Sequence, residues 1–289
     1  MFKSLKEICL EAEEKGIEFW EVILQNDMKE RMITREQSME QMRAMYQAMK
    51  DADANYDGKL RSASGLVGSD GEKFHEALAS GETICGPFIG TVIEKALKMG
   101  ESNACMKRIV AAPTAGACGV VPALFLTMQE QRGYTDEEMT KALYVAAGVG
   151  GVIANRAFLA GAAGGCQAEI GAGSSMAAAG AVYLAGGSNE AIIHAAAMAM
   201  KNLLGLACDP VAGLVEVPCV KRNVVGSVNA LSAADMALAG IRSVIPPDEV
   251  YDAMRSVGIA MPDAVRETGK GGLAATVTGQ AIAERINKE

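Results

Sequence analysis

Apolar residues recur at intervals of three and four along almost the whole chain, as in Phe2, Leu5, Ile8, Cys9 and Ala12. No long run of β-branched residues alternates at period two, so the pattern predicts an all-α fold built from helices with one apolar face each. Thr34 with Gln37, and Thr135 with Glu138, have capping-box spacing and predict two helix starts. Pro247 and Asp248 suit the first turn of a helix running to about Gly258, and the apolar stretch from Val120 to Gln131 predicts another. Gly16, Gly100, Gly133 and Gly258 are read as helix stops.

Polar positions are unevenly shared along the chain. Residues 1–60 form a charged, Met-rich helical section. From about Ser62 the chain turns to Gly, Ala and other small residues, with few charges until about residue 220. We read 1–60 as an outer layer over a helical catalytic domain, 61–289, the two forming one continuous domain. Glycines gather at Ser64–Gly71, at Ala112–Gly119 and from Gly161 to Gly173, all three expected to be loops between helices. The most apolar stretch, Ala142 to Gly165, is interrupted by Asn155 and Arg156, which favours close helix packing over a membrane span.

Composition narrows the function classes. With 289 residues and a hydrophobic fraction of 50%, the chain can bury a large core. A formal net charge of -8 without a Lys/Arg-rich run argues against nucleic acid or an anionic membrane as partner. Met1 to Glu7 enters directly into an apolar–charged alternation without the apolar region of a secretory signal, so a cytoplasmic protein is expected. Seven widely spaced cysteines, an odd number, fit packing thiols or metal and redox ligands better than a disulfide framework.

Two constellations carry candidate chemistry. In the Pro113–Gly119 turn, which precedes an apolar helix, backbone N–H groups and the helix start suit a carboxylate or phosphate; a plain turn into a helix is the equally good alternative. The Ser64–Gly71 turn admits the same two readings. Ser64, Gly65, Thr114, Ala115 and Gly116 are therefore candidate substrate-binding residues. The second constellation is Cys166, Cys208 and Cys219, which lie 42 and 11 residues apart in Gly- or Pro-broken segments. Packing is the commoner role for any one buried thiol, but such segments leave N–H groups free to donate to a cluster. Three thiolates without a fourth would leave one iron open, and an open iron is a Lewis acid. His75 and His194, the only histidines, are too few for an imidazole-rich site, and no Gly-x-Ser-x-Gly elbow occurs. Neither glycine-rich turn holds a lysine, which disfavours pyridoxal phosphate chemistry.

Five strings carry a resemblance: Ala112-Pro113-Thr114-Ala115-Gly116-Ala117-Cys118-Gly119, Gly165-Cys166-Gln167-Ala168-Glu169-Ile170-Gly171, Ser174-Ser175-Met176-Ala177-Ala178-Ala179-Gly180, the segment from Leu204 through Cys208-Asp209-Pro210-Val211-Ala212-Gly213 to Asn223, and Arg266-Glu267-Thr268-Gly269-Lys270-Gly271-Gly272-Leu273. Across roughly residues 60 to 275 the chain resembles the alpha chain of bacterial iron–sulfur L-serine dehydratases. The resemblance implies a helical catalytic domain and a 4Fe-4S cluster on Cys166, Cys208 and Cys219. It also implies deamination of L-serine to pyruvate and ammonia, a step of amino-acid catabolism that can feed gluconeogenesis. Single-chain relatives carry a small α/β domain with a Ser-Ser-His-Thr motif, and some end in a cysteine. Neither is present here, where the last residues are Asn287, Lys288 and Glu289.

The expectation is thus the two-subunit type, in which a separate beta subunit supplies the missing domain and the general base. Arg222 and Asn223 are added as candidate helpers in substrate binding, with Lys221 beside them. Cys9, Cys85, Cys105 and Cys118 are expected to be dispensable for iron, although the turn carrying Cys118 is expected to face the substrate. The rival readings are a cysteine desulfidase with similar cluster cysteines and a non-catalytic iron–sulfur sensor.

Overall fold

The computed structural model describes residues 2–288; Met1 and Glu289, the outermost residues of the two terminal strings read above, lie outside the described residues. Among the described residues there are thirteen α-helices and no strand, so the all-α fold is as the hydrophobic period predicts. The helices are α1 (Leu5–Lys15), α2 (Phe19–Arg31), α3 (Arg35–Ala54), α4 (Asp70–Ala79), α5 (Gly86–Ala104), α6 (Val120–Arg132) and α7 (Asp136–Arg156). There follow α8 (Gly161–Gly164), α9 (Ala172–Leu184), α10 (Asn189–Lys201), α11 (Cys219–Leu238), α12 (Pro247–Ala260) and α13 (Val277–Ile286).

Local chemistry sets several boundaries where the sequence placed them. Thr34 and Thr135 each close a reciprocal capping box with Gln37 and Glu138. Gly16 and Gly133 end α1 and α6 in the left-handed conformation, with φ of 62° and 77°. Gly100 and Gly258, read as stops, instead lie inside α5 and α12. Their small size serves packing: a Cβ on Gly100 would stand 3.1 Å from Val220 Cα on α11, and one on Gly258 would stand 3.0 Å from Gly164 Cα.

α9 is the centre of the molecule. Its sequence, AGSSMAAAGAVYL, is apolar or small all round and almost wholly buried, as befits a helix enclosed on every side. α6, α7, α10 and α11 pack around it. Contact is close enough that a Cβ on Gly180 would come 2.2 Å from Phe125 Cζ. The buried hydroxyls of α9 are paired: Ser175 donates to Ala196 O at 2.8 Å, and Ser174 to Gly226 O at 2.8 Å. α5 packs on α11 and α6, α4 on α5, and α2 and α3 on α7. Leu5, Phe19, Trp20, Leu24, Tyr46 and Met49 of the first three helices join one continuous apolar core that reaches Met254.

The stretch from Gly161 to Gly173 is the main departure from the sequence reading. Expected as a loop, it is α8 followed by a π-helical turn, Gln167–Gly171, that runs directly into α9. Glycine is used here because neighbouring segments crowd in: a Cβ on Gly173 would lie 3.3 Å from Val120 Cβ. No helix among the described residues is long and apolar enough to cross a membrane.

Candidate active site

Three separate backbone devices present Cys166, Cys208 and Cys219. Cys166 follows Gly165, whose φ of +75° turns the chain out of α8; a side chain there would also strike Met261 Sδ at 2.6 Å. The next residue, Gln167, is fully buried and stitches the turn, its Nε2 donating to Gly164 O and Met254 O and its Oε1 accepting from Gly205 N. Cys208 sits in an isolated parallel bridge with Arg266: its N–H donates to Val265 O at 2.8 Å, and its carbonyl accepts from Glu267 N at 2.7 Å. Cys219 is the first residue of α11, directly after Pro218.

All three thiols are free and buried, with 3%, 3% and 8% of their surfaces exposed. They are also brought together. The ionisation of Cys208 is disfavoured by Cys166 and Cys219, and that of Cys219 by Cys166. Burial pushes the Cys166 thiol up to about 11, with the charge of Arg222 pulling the other way. Burial likewise pushes Cys219 up to about 12 and raises Cys208 strongly.

Two carboxylates share this space. A Cβ on Gly161 would meet Cys208 Sγ at 2.7 Å, Glu169 Oε2 at 3.1 Å and Glu267 Oε2 at 3.3 Å, so a thiol and two acids converge on a point that only glycine leaves open. Burial, with a further contribution from Glu267, raises the Glu169 carboxyl above its ordinary range, while a hydrogen bond from Thr114 opposes the shift. Glu267 is held at a φ of 63°, unusual for a residue with a side chain and an instance of the local strain that gathers at functional sites. Among the described residues, no three His, Cys, Asp or Glu side chains are grouped so as to hold a single metal ion.

The candidate substrate residues separate into those beside the cysteines and those away from them. Thr114 Oγ1 donates to Glu169 Oε1 at 2.6 Å, and a Cβ on Gly116 would stand 3.0 Å from both Glu169 oxygens. The turn Thr114, Ala115, Gly116 therefore adjoins the thiol and carboxylate centre. Asn223 is buried and its amide is fully engaged: Nδ2 donates to Gly116 O and Cys219 O, and Oδ1 accepts from Gly119 N at 2.8 Å. It ties the turn to Cys219. Arg222 donates to Ala207 O and Asp209 Oδ1 on either side of Cys208.

Ser64 is turned to another buried acid. Its hydroxyl, like that of Ser62, donates to Glu216, and its carbonyl accepts from Arg285. Gly65, at a φ of +76°, is the exposed corner of that turn. Lys221 extends into solvent to pair with Asp70, and His75 pairs with Glu94 on the exposed side of α4. Cys118, whose turn was expected to face the substrate, points inward: it is 1% exposed and its Sγ donates to Met99 O. Cys9 packs in the core, Cys105 caps the end of α5, and Cys85 is exposed at its start.

Sequence reading did not single out Glu169, Glu267 or Asp209. Each lies within a string already quoted, Glu169 three residues after Cys166, Asp209 directly after Cys208 and Glu267 in the last glycine-rich segment. The usable signal was strongest for Glu169 and Asp209, acids within three residues of a candidate cysteine in a stretch otherwise poor in charge.

The fold and this centre define an all-helical protein whose buried thiols and acids meet where chain segments converge. The pattern of the family "Serine dehydratase alpha chain" matches residues 14–274, and the chain belongs to that family. It is 47% identical over 286 residues to the "Probable L-serine dehydratase, alpha chain" of Bacillus subtilis (strain 168), covering 99% of this chain and 95% of that protein. It is 39% identical over 290 residues to the "L-serine dehydratase, alpha chain" of Peptoniphilus asaccharolyticus, covering 100% and 99%. Against the "L-serine dehydratase TdcG" of Escherichia coli (strain K12) the match is 43% over 184 residues, 63% of this chain and 40% of that protein.

Proposed function

We propose that this chain is the catalytic alpha subunit of an iron–sulfur L-serine dehydratase, acting with a separate beta subunit in the cytoplasm to convert L-serine to pyruvate and ammonia. The observation that carries this reading is the meeting of three buried, free cysteines, drawn from segments far apart in sequence, beside two carboxylates. The names of the full-length relatives support it.

The donor set fits a 4Fe-4S cluster. Thiolates are the ligands such clusters take, and three buried free thiols with few competing donors suit one. Cys166, Cys208 and Cys219 would hold it, and when bound it would supply a Lewis acid for the departing hydroxyl. The chain's own residues do the rest. Gln167, the Cys208–Arg266 bridge and Asn223 hold the cysteine segments in place. Glu169 and Glu267 provide negative charge for the substrate ammonium, with Thr114 fixing the Glu169 carboxylate. The Thr114–Gly116 turn offers backbone to the substrate carboxylate. The base that removes the Cα proton is assigned to the beta subunit.

The test is anaerobic reconstitution of the chain with iron and sulfide, with and without the beta subunit. The expected result is about four irons per chain, lost in Cys208→Ser, and pyruvate from L-serine only when both subunits are present. Iron retained at the wild-type level in Cys208→Ser would overturn the ligand assignment. Sulfide release from L-cysteine in preference to pyruvate from L-serine would identify a desulfidase.

A further inference from the structure

Arg222 stands on α11 one helical turn after Cys219, on the same face of the helix. Its guanidinium crosses to both residues that flank Cys208: Nη1 donates to Ala207 O at 2.6 Å and Nη2 to Asp209 Oδ1 at 2.8 Å. Its positive charge also acts on the Cys166 thiol, opposing the effect of burial there. A single side chain therefore ties the helix that begins at Cys219 to the loop that carries Cys208.

The arrangement is built from buried groups. The Arg222 side chain is 16% exposed and that of Asp209 is 6% exposed. The second oxygen of Asp209 accepts from Leu273 N at 2.8 Å, and Gly272, at a φ of +58°, comes so near that a Cβ would stand 2.3 Å from Asp209 Oδ2. The C-terminal glycine-rich segment thus closes over the pair. A buried ion pair is weak as a source of stability because both charges lose their hydration. Its use here is geometric. Guanidinium is planar, always charged and able to donate in several fixed directions, whereas an ammonium reaches as a point charge.

We propose that Arg222 is the positioning residue of the cysteine centre, holding the Cys208 loop in register with the Cys219 end of α11 so that a cluster bound there is retained. This rests on the iron–sulfur reading above. It also removes Arg222 from the candidate substrate ligands. Its two terminal nitrogens already donate to the Cys208 loop, and a buried positive charge beside the cysteines would raise the reduction potential of a cluster held there.

The experiment uses the full chain, reconstituted anaerobically as wild type, Arg222→Gln, Arg222→Lys, Asp209→Asn and Cys208→Ser. Iron per chain, the half-life of cluster loss to a chelator, the reduction potential and helical content are measured for each. Loss of a group supporting metal ligands typically costs about 10–100-fold in metal affinity, and Arg222→Gln should shorten the half-life on that scale and shift the potential negative. Arg222→Lys should recover part of both, because charge remains while the fork is lost. Asp209→Asn should shorten the half-life less than Arg222→Gln. A folded Arg222→Gln chain with wild-type half-life and potential would overturn the inference. If that variant does not fold, wild-type half-life and potential in Arg222→Lys would overturn it. So would an unchanged half-life and potential accompanied by a raised KM for serine once the beta subunit is added, which would return Arg222 to substrate binding. A wild-type chain that takes up no iron, or iron uptake undiminished in Cys208→Ser, would mark failure of the cluster reading itself and end the inference with it.

Discussion

The two glycine-rich turns, Ser64–Gly71 and Pro113–Gly119, are alike in composition and both precede a helix, yet they meet different buried acids. The second turn meets Glu169, through Thr114 Oγ1 and the bare backbone of Gly116, and so stands beside the three cysteines. The first turn meets Glu216, through Ser62 and Ser64, and is fastened to α13 through Arg285. Glu216 also begins the turn leading into α11, its carbonyl accepting from Val220 N. One turn adjoins the chemistry, while the other braces the helix that carries Cys219. Small, permissive residues allow a close approach; they do not decide what is approached.

The largest effect that would sharpen this contrast is expected from the acids. Glu169→Gln removes the charge proposed to face the substrate ammonium, and loss of one charged partner should lower kcat/KM about 100-fold while iron content stays at the wild-type level. Glu216→Gln should leave kcat/KM within about threefold and show instead as a lower denaturation midpoint. Steady-state kinetics of the two-subunit enzyme decide this, and equal kinetic losses would erase the distinction between the turns.

Next in size is stability. Asn223→Ala strands Gly119 N–H and Gly116 O in the interior and should cost about 3 kcal/mol in denaturant unfolding of the metal-free chain. Ser64→Ala removes one hydroxyl while Ser62 still donates to Glu216, so about 1 kcal/mol is expected. A larger loss at Ser64 would make its turn the more structural of the two.

A smaller effect concerns pH. Cys118 in the second turn is pushed up to about 12 by burial, and Cys166 and Cys219 to about 11 and 12. The unfolded thiols ionise near their ordinary value of 9.0 while the folded ones stay protonated, so above that pH the unfolded chain binds fewer protons. Stability of the metal-free chain should therefore fall as pH rises beyond about 9, and Cys118→Ala should reduce the slope. Denaturation midpoints between pH 7 and 10 measure it; a flat profile would contradict the burial of these thiols.

The smallest effect is a surface reference far from both turns. Arg35 holds the Glu21 carboxyl below its ordinary value of 4.5. The stabilisation from that pair is present above that pH and lost as pH falls through the lowered folded value. Because Arg35 is 45% exposed, Glu21→Gln should change stability by under about 1 kcal/mol near neutral pH.

Much of this protein was legible from local patterning. Period and caps located several helices because a helix end is set by its own few residues: Thr34 and Thr135 pair with side chains three positions on, and Gly16 needs only its own left-handed turn. The cysteine strings, with their glycine and proline neighbours, marked the centre. Gly100, Gly258 and the Gly161–Gly173 stretch were misread because a glycine that ends a helix and one that admits a neighbouring helix look the same in sequence. Only the crossing of α5 with α11, or of Gly164 with α12, tells them apart. Asn223, Arg222 and Cys118 likewise had meaning only through partners 13 to 107 residues away or on another helix. Tertiary structure chose which acid each turn meets, how the three thiols converge and where Arg222 points, since those depend on distances between segments that no local rule of spacing contains.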